Sequence, residues 1–68
     1  MYQPNQRVSV DLSNLTIQGI VFSQNVQKAL ATVVRQVSSD PSVYLVELLF
    51  SFKGVKRVEV AEERIHPM

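Results

Sequence analysis

The stretch from Val43 to Phe52 constrains this chain most, because it is apolar on both faces of any strand it could form. Alternation places Tyr44, Val46, Leu48, Phe50 and Phe52 on one side, and Val43, Leu45 and Leu49 on the other. Only Glu47 and Ser51 interrupt the second set. The run is far shorter than the ~20 residues that cross a bilayer as a helix, and turn chemistry closes it at both ends. Before it stands Ser38-Ser39-Asp40-Pro41-Ser42, where proline fixes its own φ and pushes the preceding residue out of the helical region. After it comes Lys53-Gly54, which suits a tight turn, and Val55 to Val60 returns with Val58 and Val60 on alternate positions. Residues 42 to 60 therefore read as a β-hairpin.

A strand of this kind must be covered twice, and the chain has only 68 residues to do it. At this length a single domain, spanning 1–68, buries only about 60% of the surface its unfolded chain exposes. The chain holds no cysteine, so neither disulfides nor thiolate-bound zinc can reinforce the core. With 46% hydrophobic and 19% charged residues, it is too apolar to be disordered. Once one face is covered, Val43, Leu45 and Leu49 remain available to a partner, and a second copy of the same chain is the expected one.

Upstream, Arg7 to Leu12 alternates, with Val8, Val10 and Leu12 on one face and Arg7, Ser9 and Asp11 on the other. Ser13-Asn14 offers a turn, and Thr16 to Phe22 reads as a second strand in which Gly19 marks a bulge or a close backbone approach. Residues 24–37 support two readings. At 100° per residue, Val26, Ala29, Leu30, Val33, Val34 and Val37 gather on one side of a helix, opposite Gln27, Lys28, Thr32, Arg35 and Gln36. Against a helix stand the β-branched Thr32, Val33, Val34 and Val37 and the lack of a capping box. The rival is a strand from about Ala29 to Val37, whose alternation is broken at Arg35.

Four segments carry a resemblance: Arg7-Val8-Ser9-Val10, Gln18-Gly19-Ile20-Val21, Tyr44-Leu45-Val46-Glu47-Leu48, and the ending Val58-Glu59-Val60-Ala61-Glu62-Glu63-Arg64-Ile65. Together they resemble small bacterial proteins with a five-stranded Src-homology-three-like barrel. That resemblance implies a β-rich fold ending in a strand, one tight helical turn at Ala61 to Glu63, and a last short strand. With a helix at 24–37 the alternative is an α+β fold of ββαββ order. The ending Ala61, Glu63, Arg64, Ile65 is also distantly similar to the plasmid-borne dihydrofolate reductases, small barrels that work as tetramers around a shared pore. Where that family lines its pore with Val-Gln-Ile-Tyr, this chain reads Lys56-Arg57-Val58-Glu59-Val60, so the active-site motif is missing.

The residue inventory disfavours catalysis. Nucleophilic chemistry needs a nucleophile beside an oriented base, and the one histidine, His66, falls near the chain end, where a mobile, solvated tail is expected. Glu62 and Glu63 are sequence neighbours that point apart on a helical turn. The lone histidine and scattered acids have no metal-ligand spacing, and Gly19 and Gly54 stand too far apart for a phosphate-binding loop. No catalytic residue, metal site or cofactor is expected. Net charge is only +1, but Lys53, Lys56 and Arg57 cluster at the hairpin, with Arg35 as a further candidate, so the hairpin is a candidate contact for nucleic acid. The aromatic platform that single-strand binders use would have to come from Tyr44, Phe50 or Phe52, which alternate inward and are expected in the core.

The expected function is thus a non-enzymatic binding or scaffold module that self-associates through Val43, Leu45 and Leu49 and contacts nucleic acid through the basic hairpin. An oligomeric enzyme with a shared central pore and a protein-binding adaptor are the alternatives. With no secretory signal and no membrane span, a cytoplasmic, membrane-free setting is expected.

Overall fold

Backbone pairing settles the ambiguity of residues 24–37 in favour of a strand. The computed structural model describes residues 2–68, in which β1 (Arg7–Val10), β2 (Thr16–Ile17), β3 (Ile20–Val21), β4 (Ala29–Ser39), β5 (Ser42–Phe52), β6 (Val55–Ala61), a 3-10 turn at Glu62–Arg64 and β7 (Ile65–Pro67) follow in order. Among the described residues there is no α-helix, so the ββαββ alternative with a helix at 24–37 does not hold. The helical spacing of the apolar residues has a local cause. Val33 pairs Val46 and Arg35 pairs Leu45, leaving Val34 as an extra residue; Gln36 pairs Tyr44 and Ser38 pairs Val43, leaving Val37 as another. Each bulge shifts the period-two pattern by one position, and two of them in one strand produce spacings of three and four that imitate a helix.

The main sheet is antiparallel with strand order β6-β5-β4-β1-β7, and β2 and β3 form a separate two-stranded hairpin. β6 and β7 are its two edges, so the five strands form an open sheet and not the closed barrel expected. The sheet has one apolar face. Val8 and Val10 of β1, Ala31 and Val33 of β4, Tyr44, Val46 and Leu48 of β5, Val58 and Val60 of β6 and Ile65 of β7 are buried there, joined by Leu12 and Phe22 from outside the sheet. Tyr2 closes one end: its ring meets Tyr44 edge-on at 5.5 Å, its hydroxyl donates to the Ile65 carbonyl at 3.0 Å, and its amide donates to the Tyr44 hydroxyl at 3.3 Å. The buried Tyr44 hydroxyl thereby accepts a hydrogen bond, which offsets part of the cost of taking it out of water.

Two connections share one solution. Lys53 and Gly54 have φ of +50° and +84°, and Gln18 and Gly19 have +53° and +78°; each pair joins two antiparallel strands directly. Positive φ at both central residues gives the turn whose twist matches that of the flanking strands. The first pair is the hairpin turn expected from the sequence. The second divides the single strand expected over Thr16 to Phe22 into β2 and β3, because Gly19 sits in a turn and not in a bulge.

Candidate functional site

Pairing fixes which side chains share the solvent face of the sheet. Tyr44 and Val46 point inward, so Val43, Leu45 and Glu47 point outward, and residues paired to them lie on the same face. One row across β4, β5 and β6 therefore reads Arg35, Leu45, Glu59, and the next reads Thr32, Glu47, Arg57. Arg57 donates from Nε to Glu47 Oε1 at 3.0 Å, a surface ion pair worth well under about 1 kcal/mol. Among the described residues, neither Arg35 nor Glu59 has an ion-pair partner. Val43 and Leu45 are half-buried on this face, and Val43 lies in a third row between Ser38 and Ala61.

The end of β5 departs from simple alternation. Glu47 pairs Arg57 and Phe52 pairs Val55, so the four residues Leu48 to Ser51 stand opposite Lys56 alone. The outward excursion leaves Leu48 buried but exposes Leu49 (42%) and Phe50 (75%). The expectation that Phe50 fills the core is thus corrected: the bulge takes it out of the phase that buries Tyr44, Val46 and Leu48. Phe52 is half-buried, its ring stacked on Phe22 at 4.5 Å with the Lys53 ammonium 5.8 Å from its centre.

Among the four basic candidates, Lys53, Lys56 and Arg57 come together on the hairpin, whereas Arg35 belongs to the β4 side of the solvent face. Of the three proposed for self-association, Val43 and Leu45 share that face, while Leu49 lies in the bulge toward the hairpin tip. Sequence periodicity alone could not separate these groups, since it assigns a face to each residue and no bulge to the strand.

Nothing in the sequence points to a groove beside β1 and β7. A groove of about 640 Å³ is lined by Ser9, Asp11, Lys28, Leu30, His66 and Pro67 among others. His66 is not in a loose tail: β7 pairs with β1, and His66 stands opposite Ser9. Ser9, His66 and Asp11 nonetheless form no relay. The Ser9 hydroxyl donates to the His66 backbone carbonyl at 3.5 Å, and the Asp11 carboxylate accepts from the Ser13 hydroxyl and, at 2.9 Å, from the Ser13 amide. Those hydrogen bonds hold the Asp11 carboxyl below its ordinary value of 3.8, helped by the charges of Arg64 and His66. Arg64 Nη1 lies 4.0 Å from Asp11 Oδ1 and donates to the carbonyls of Asp11 and Ser13, so this cluster ties the end of β1 to the 3-10 turn.

Among the described residues, no three histidine or acidic side chains converge on a point where a metal ion could sit, and no helix is long and apolar enough to cross a membrane. Compared with family models, curated proteins and solved structures, the chain matches none. β5 presents two surfaces to solvent, its outward face around Leu45 and the bulge beside the hairpin tip.

Proposed function

We propose that this chain is a non-enzymatic binding module, Src-homology-three-like in strand arrangement, that self-associates through the solvent face of β4, β5 and β6 and offers its β5–β6 hairpin tip to an anionic ligand. The strand order β6-β5-β4-β1-β7, with a 3-10 turn leading into the last strand, is what supports the Src-homology-three-like class. The observation that carries self-association is the row Arg35, Leu45, Glu59. It is basic at one end, apolar in the middle and acidic at the other, with strands spaced about 4.8 Å apart. Two copies related by a two-fold axis lying between their faces and running along β5 set Leu45 against Leu45 and each Arg35 opposite the other copy's Glu59. Such self-complementarity is what an isologous contact requires.

Sedimentation equilibrium over a micromolar to millimolar range tests this reading. The wild-type chain is expected to dimerise or assemble further, and Leu45→Lys to weaken assembly by roughly thirtyfold, the effect of losing a central contact of about 2 kcal/mol. A wild-type chain that stays monomeric throughout would refute it. A closed ring binding a small organic ligand on its axis would instead favour a shared-pore enzyme.

A further inference from the structure

We infer that the hairpin tip is a contact for single-stranded nucleic acid, with Phe50 as the surface on which a base stacks and Lys53 and Lys56 as the phosphate contacts. The inference rests on the anionic-ligand reading of the same hairpin and narrows it to one chemistry. Phe50 is the most exposed of the large apolar side chains, at 75%, in a domain whose core is complete without it. The excursion of β5 that exposes it places it among the residues facing Lys56, just before the turn that carries Lys53.

The local charge has one sign. From Leu48 to Val58 the chain holds no acidic residue; of the two acids that flank this stretch, Glu47 is taken by Arg57, and Glu59 lies back in the row of Leu45. Lys53 and Lys56 are then uncompensated by any ion pair among the described residues. An exposed aromatic ring beside unpaired cations fits a chain that alternates flat bases with phosphates, and every base offers a face to stack. A protein partner would use the ring but leave the two lysines unmatched unless it were acidic there.

Polar groups that could meet base edges lie close by. Phe52 stacks on Phe22, which leads directly into the exposed Ser23, Gln24 and Asn25. Duplex does not fit, because its bases are already stacked within the helix and a ring on a narrow tip reaches only an unpaired one.

The test is fluorescence anisotropy of a labelled oligothymidylate of about twelve nucleotides, a duplex of equal length and an inorganic polyphosphate, each titrated with the full chain. The wild-type chain is expected to prefer single strand to duplex by roughly tenfold, Phe50→Ala to lose roughly tenfold or more of that binding, and Phe50→Trp to keep it with its indole emission quenched by the bound bases. Lys53→Ala with Lys56→Ala should flatten the salt dependence by a slope of about 1.4, two phosphate contacts at about 0.7 each. An unchanged amide spectrum of Phe50→Ala confirms that its fold is intact. Equal binding of all three probes, unaffected by Phe50→Ala, overturns the stacking inference but leaves the hairpin an anion contact. Failure of all three probes to bind overturns both.

Discussion

Asp11 shows how one side chain can couple local chemistry to the whole sheet. Its carboxylate accepts two hydrogen bonds from Ser13 and faces Arg64, contacts that favour the ionised form and keep its carboxyl below 3.8. A carboxyl depressed in the folded state contributes stability that is present above the unfolded value and is lost as pH falls through the folded one. Denaturation by urea is therefore expected to show wild type more stable than Asp11→Asn by a constant margin at neutral pH, with the margin shrinking below about pH 4. A margin independent of pH would show that the carboxylate's charge does not matter. The alternating segment from Arg7 to Leu12 already put Asp11 on the wet face of its strand, but nothing local points to Arg64, which lies far along the chain and arrives only when β7 pairs with β1. Phe50 is the opposite case: its apolar character and its place in the alternation both indicated the core, and a backbone excursion sent it to solvent.

At the scale of elements, the two tight turns differ in how plainly they are written. Lys53-Gly54 stood between two alternating runs and was legible as a turn, whereas Gln18-Gly19 stood within a short run that read as one strand. Both rely on a glycine at positive φ with nothing within 4 Å of where a Cβ would lie, so substitution there carries conformational cost without a clash. Gly54→Ala is expected to destabilise by about 1 kcal/mol, lowering the thermal midpoint by roughly 4–8 °C. Lys53→Asn, which suits the same turn better, should raise the midpoint by a few degrees, about 0.5 kcal/mol. If both variants melt with the wild type, the turn conformation does not matter to stability. β4 teaches the complementary lesson. Its β-branched residues favoured a strand and its spacing favoured a helix, and the disagreement disappears once Val34 and Val37 are recognised as inserted residues.

For the whole molecule, the open sheet poses a question that a closed barrel would not: one face is fully apolar and covered, while the other carries a half-buried apolar centre flanked by unpaired charges. If two copies meet there, charge reversal provides a sharp check. Arg35→Glu alone and Glu59→Arg alone should each weaken assembly several-fold, and the double variant, which restores opposite signs across the interface, should recover most of it, as read by sedimentation. Additive losses in the double variant would exclude the proposed pairing. By itself the sequence determined that the chain is a small β-rich domain, where β1, β5 and β6 run, where three of its turns fall, and which strand dominates the core, because these depend on short-range alternation and on the backbone preferences of Pro41, Asn14 and Gly54. The tertiary structure alone decided that residues 29–39 are a strand, that Phe50 is outside, that Arg35 lies apart from the other basic residues, and that His66 belongs to an edge strand. Bulges, register and edge pairing arise from contacts between residues distant in sequence, and no local periodicity encodes them.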